Sequence, residues 1–173
     1  MSLLDSVKDV LSQYTTGSTQ NNADASAHFD QVAQAADHNV IAEGLAAVFH
    51  SEQTPAFGNL VSNLFSQSNS DQKAGMLNQL LASVGPGALS QLAGGGAVAA
   101  LLGSGSKQIS PDQAQNVSPE LVQQLAVHAE KNDPTIVDKA SAFYAQHPTL
   151  IKTLGGAALS IALAKVAERQ KAA

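Results

Sequence analysis

The sequence predicts an all-α fold of about eight to ten short helices packed through Gly- and Ala-rich faces. Three observations predict it. Apolar residues recur at helical spacing along most of the chain. Five of the six prolines follow residues suited to capping a helix or turning the chain. No stretch alternates apolar and polar residues as a half-buried strand does.

The elements follow in order. Leu3, Val7, Val10, Leu11 and Tyr14 form one face of a first helix. The polar run "YTTGSTQNNAD", 14–24, has no periodicity and reads as a linker. It separates an N-terminal helix with its linker, 1–23, from a single helical domain, 24–173. Two lobes, 24–106 and 107–173, are the alternative division. Phe29, Val32 and Ala36 make the next face, followed by Val40, Ile41, Leu45, Val48 and Phe49. Phe57, Leu60, Val61, Leu64 and Phe65 keep the same rule, as do Met76, Leu77, Leu80, Leu81 and Val84 before a C-terminal glycine, Gly85. The second half offers Leu121, Val122 and Leu125, then Ile136, Val137, Ala140, Phe143 and Tyr144. The last face is Leu150, Ile151, Leu154, Ala158, Ile161 and Ala162.

Thr54-Pro55, Ser110-Pro111, Ser118-Pro119, Asp133-Pro134 and His147-Pro148 all read as helix starts; Pro86, after Gly85, is the weakest case. Proline suits the first helical position because its missing N–H is not needed there. Ser110 and Gln113 have capping-box spacing, and Val117 and Val122 flank Ser118 as a hydrophobic staple would.

Composition narrows the function classes. The chain has 173 residues, 44% of them hydrophobic, so it can bury a core. Aromatics are only 4% and tryptophan is absent, so that core must be built from Leu, Val, Ile and Ala. Charged residues are 13%, about half the usual share. A weakly charged surface repels its copies little, which favours self-association. Residues 1–106 hold Lys8 and Lys73 against eight acids, a net of −6, whereas residues 107–173 hold seven bases against six acids, a net of +1. No basic patch is interleaved with aromatics, which argues against nucleic-acid binding. The absence of cysteine excludes disulfides, thiolate zinc sites and iron–sulfur ligation. The start, "MSLLDSVKD", carries acids early and no long apolar segment, so the chain is expected to be cytoplasmic.

The stretch "GGGAVAALLGSGSKQISPDQ", 94–113, invites three readings. A phosphate loop needs Gly-Lys-Ser/Thr after a strand, but Lys107 follows Ser106 and precedes Gln108. A membrane span needs about 20 apolar residues, and the unbroken run 93–103 is too short. Close helix packing fits best. Gly94, Gly95, Gly96, Gly103 and Gly105 then form a packing hinge, and Gly155, Ala158 and Ala162 form a second small face. The basic end Lys165, Arg169 and Lys171 follows an apolar helix, so attachment to a membrane surface, without spanning, is an alternative.

The segment "LLGSGSKQISPDQ", 101–113, resembles the signature of the YidB-like family of small bacterial proteins of unknown function, and "MSLLD" is similar to that family's start. Gly103, Gly105, Ile109, Ser110 and Gln113 match its pattern of Gly-x-Gly-x-Asn followed by Ile-Ser-x-x-Gln opening a helix. Leu101 stands where an aromatic is usual, Lys107 where Asn is usual, and the spacer before Ile109 is one residue shorter. The resemblance implies a helical bacterial protein and brings no catalytic residues.

Candidate chemistry is sparse. No pair among His28, His38, His50, His128 and His147 has helical ligand spacing, so they read as surface or capping residues. A haem or metal site assembled from two of them in space is the third functional alternative. There is no Gly-x-Ser-x-Gly elbow. Asp5 and Asp9 read as a solvated face with Lys8. The expected function is therefore non-enzymatic: a self-associating structural or interaction protein without cofactor or metal. The expected contact residues of a homo-oligomer are Leu3, Val7, Val10, Leu11 and Tyr14 of the first helix and Leu154, Ala158 and Ile161 of the last.

Overall fold

A computed structural model of the chain describes residues 3–15, 24–85, 91, 100 and 108–172. Among these are ten α-helices and no strand, the all-α fold the periodicity predicts. In chain order they are α1 (Leu3–Thr15), α2 (Ala25–Ala35), α3 (His38–His50), α4 (Phe57–Gln67) and α5 (Ser70–Val84). Then come α6 (Pro111–Ala114), α7 (Pro119–Asn132), α8 (Ile136–Ala145), α9 (Pro148–Ile151) and α10 (Gly156–Ala172). The packing hinge, Gly94, Gly95, Gly96, Gly103 and Gly105, lies outside the described residues.

The helix ends follow local chemistry. Ser110 and Gln113 make the reciprocal capping box their spacing predicts. Asn69 and Gln72 make a second one, with Gln72 N–H donating to Asn69 Oδ1 at 2.9 Å. Ser118 accepts from the Leu121 N–H, and Val117 and Val122 are both buried. Gly85 ends α5 with φ at +77°, the left-handed region that glycine enters without strain. Pro111, Pro119 and Pro148 are first-turn residues.

Two prolines sit differently. The Thr54 hydroxyl donates back to the Val48 and Ser51 carbonyls at the end of α3 and makes no cap for α4. That helix starts later, with Ala56 at its N-cap and Pro55 outside it. Pro134 lies in the turn before α8. There the Asp133 carboxylate accepts from Thr135 N–H and from Lys139, and hydrogen bonds from Lys139 and Thr135 hold its pKa down to about 2. The apolar face from Leu150 to Ala162 is also not one helix. A 3-10 turn, Lys152–Leu154, and Gly155 at φ +92° separate α9 from α10.

The chain divides into two compact units. The first is Met1–Pro55 with Ser141–Ala173; the second is Ala56–Ala140, so the division falls inside α8. The first helix thus belongs with the last. The physical reason is that α10 carries a broad apolar face, Ala158, Leu159, Ala162, Leu163, Val166 and Ala167, and three helices from the N-terminal segment cover it.

In the first unit α10 packs against α3, α1 and α2. The α3 contact passes through Gly44: a Cβ there would lie 2.9 Å from the Ala162 carbonyl oxygen and 3.1 Å from Val166 Cγ2. In the second unit α4 packs against α7, and α5 against α7 and α6. Here Gly58 makes the close approach, its absent Cβ position lying 2.8 Å from Val127 Cγ2 and 3.0 Å from the Gln123 carbonyl oxygen. Phe57, Leu64, Phe65, Met76, Leu80 and Leu125 fill this core. The Asn78 side chain fastens Ile109: Ile109 N–H donates to Asn78 Oδ1 at 2.7 Å, and Asn78 Nδ2 donates to the Ile109 carbonyl at 3.1 Å.

Two expectations come from this packing. Gly44→Ala is expected to lower stability in urea denaturation by about 1–3 kcal/mol through overpacking. That outweighs the roughly 0.5–1 kcal/mol by which alanine favours a helix interior. Gly58→Ala should cost less, because its nearest neighbour is a side-chain methyl; a stabilised Gly44→Ala would contradict the close crossing. Asn78→Ala leaves both Ile109 backbone groups without their side-chain partner and should cost about 1–3 kcal/mol, with faster hydrogen exchange at the Ile109 amide.

Candidate functional site

The residues expected at a contact surface lie where α1 meets α10 and α2 in the first unit. Leu3 opens α1. Val7, Val10 and Leu11 are 3%, 8% and 3% exposed, so the first helix spends its apolar face on its own chain. Ala158 is buried as well, against the same unit. Leu154 and Ile161 differ: both remain half-exposed, Leu154 in the 3-10 turn before α10 and Ile161 on α10, where Ala157 is exposed and Ala164 half-exposed at the same helical phase. The expected set therefore splits into a buried group that holds the fold and an outward group that does not.

Tyr14 ties the end of α1 to α2. Its hydroxyl and His28 Nδ1 are hydrogen-bonded at 2.8 Å, and the rings meet edge to face with centroids 5.8 Å apart. Burial raises the Tyr14 pKa above its usual 10, and the Asp24 carboxylate raises it further. Both effects disfavour a phenolate.

Beside this contact, α1 and α10 border a groove of about 270 Å³. From α1 it takes Lys8, Leu11, Ser12 and Thr15, spaced i, i+3, i+4, i+7; from α10 it takes Ala167, Gln170 and Lys171. The floor is apolar, and no carboxylate lines it. The Ser12 and Thr15 hydroxyls donate to the Asp9 and Ser12 carbonyls, which leaves them as acceptors. Lys8 and Lys171 have no ion-pair partner among the described residues.

The other cations of this unit are engaged. Lys152 pairs with Asp30 at 2.7 Å, Lys165 with Glu168 at 3.4 Å, and Arg169 with Glu43 at 3.4 Å. The basic end on which the membrane-surface alternative rests thus has Lys165 and Arg169 paired within its own chain, leaving Lys171. Among the described residues no helix is long and apolar enough to cross a membrane.

The histidines are dispersed. His38 opens α3 and His50 closes it, both exposed; His128 lies on α7; His147 is the N-cap of α9, its ring 5.2 Å from that of Phe143. Among the described residues no group of three or more His, Cys, Asp or Glu could hold a metal ion. The groove itself offers an apolar floor and, at its edge, Lys8 and Lys171.

Some residues that matter lie outside the sets that periodicity singles out. Gly44 carries a signal of its own: a glycine in mid-helix costs stability unless packing needs it. Asn78 is a polar residue within an apolar face, and Lys8 with Ser12 and Thr15 forms a second stripe beside the apolar one.

One pH dependence comes from Tyr14. A folded-state pKa raised above the unfolded value contributes stability that is full below pH 10 and lost as pH rises through the folded pKa. Thermal melts between pH 9 and 11 should therefore show an alkaline loss of stability that Tyr14→Phe reduces, and the Tyr14 phenolate absorbance should appear above pH 10. No family model, no curated protein and no solved structure matches this chain, so the fold and the groove stand on their own geometry.

Proposed function

We propose that the chain is a non-enzymatic, self-associating interaction protein of the cytoplasm, and that copies meet through the outer face of α10. One observation carries this reading. After the chain has covered its apolar faces, Ile161 stays half-exposed on α10, in phase with Ala157 and Ala164, and Leu154 stays half-exposed in the 3-10 turn just before that helix. Large apolar side chains grouped on an exposed surface mark contact sites more often than isolated ones do. The small residues between them let a second helix approach closely, as Gly44 does inside the unit. A chain with only 13% charged residues opposes that approach weakly. The first helix packs against α10 and α2 within its own chain and lies behind this face.

The test is molar mass by light scattering over a dilution series. The full chain is expected to exceed its 17.7 kDa monomer mass at high concentration and to approach it on dilution. Ile161→Glu, at a half-exposed position, should shift the series toward monomer while leaving the circular dichroism unchanged. A chain that stays monomeric at every concentration overturns the proposal.

A further inference from the structure

We propose that the groove between α1 and α10 binds a medium-chain alkyl carboxylate, with the carboxylate held by Lys8 and Lys171 and the alkyl chain lying on Leu11 and Ala167. This site is separate from the outer face of α10 and does not depend on self-association.

The chemistry of the lining selects the ligand class. Leu11 and Ala167 are 3% and 2% exposed and form an apolar floor that water solvates poorly. Two ammonium groups border the same space, in a chain whose net charge is −5. Four other cations of the chain are paired with carboxylates, and Lys73 lies over the Phe65 ring at 5.3 Å. Lys8 and Lys171 have neither kind of partner among the described residues. A cationic ligand would meet two like charges and find no acid in the lining. A neutral alkane would leave both ammonium groups unused. An amphipathic anion satisfies both features at once.

The hydrogen-bonding inventory agrees. Ser12 and Thr15 have committed their hydroxyl protons to backbone carbonyls, so they cannot donate to an anion. Donation to a carboxylate then falls to Lys8, Lys171 and the Gln170 amide, which is exposed and has no hydrogen-bond partner among the described residues. Size limits the tail. At about 270 Å³ the groove lies just below the roughly 300–1,000 Å³ of drug-sized sites, a size that suits a single alkyl chain.

The experiment is calorimetric titration of the full chain with hexanoate, octanoate and decanoate, each below its micelle concentration. Octanoate is expected to bind at one site per chain. Affinity should rise about two- to fourfold per methylene added, the upper figure corresponding to complete burial of each CH₂. Octanol and octylammonium should bind more weakly than octanoate. Lys8→Gln and Lys171→Gln should each weaken octanoate about two- to fivefold, the range for exposed charge pairs. Ser12→Trp, at an exposed position on the rim, should abolish binding by filling the groove without disturbing the core. Lys131→Gln, in the second unit, and Ile161→Glu, on the outer face of α10, should leave it unchanged. The proposal is overturned if octanol binds as tightly as octanoate, if both lysine variants bind like the wild type, or if chain length has no effect. It is equally overturned if octanoate fails to bind while phosphatidylglycerol vesicles co-sediment with the chain, which would make the cations a membrane contact.

Discussion

At Gly44 even a single added carbon would sit 2.9 Å from the backbone of α10, and the arrangement of the first unit turns on that approach. A backbone carbonyl cannot rotate away as a side chain can, so the crossing admits only glycine at this helix spacing. It lets α3 lie against Ala162 and Val166, and α1 and α2 then complete the cover of α10. The second unit uses the same device with a softer contact, Gly58 against the Val127 methyl and the Gln123 carbonyl.

Close crossings also account for a core with few aromatics. Alanine faces such as Ala158, Ala162 and Ala167 bury little area each, at roughly 25 cal/mol per Å². They compensate by bringing backbones near enough for Leu159, Leu163 and Val166 to interlock with α3 and α1. The second unit keeps larger side chains, with Phe57, Phe65, Met76 and Leu125 almost wholly buried.

Charge on the first unit is arranged around this core. Asp30, Glu43 and Glu168 each take one cation, and these exposed pairs contribute little to stability individually. Their larger effect is on what remains. They leave Lys8 and Lys171 as the free cations beside the α1–α10 groove, and they remove most of the positive field from the end of α10. Tyr14 and His28 fix the end of α1 through one hydrogen bond and an edge-to-face ring contact, which holds that groove's wall in place.

The sequence by itself determined the local structure. Helical periodicity, the Ser110–Gln113 box and the terminal Gly85 all rest on interactions within four residues, so their spacing is visible along the chain. Where it erred, the competing group was just outside that window. Thr54 turned back to Val48 rather than forward, and Gly155 broke a face whose apolar spacing was unbroken. Only the tertiary structure decided which faces meet. Val7, Val10 and Leu11 could cover a second copy or the chain's own last helix, and periodicity is identical in both cases. In the folded chain they pack on α10, about 150 positions away, whose apolar face is broad enough for three helices to cover. The groove arises from the same pairing, because Lys8 and Lys171 become neighbours of one space only after α1 has docked on α10.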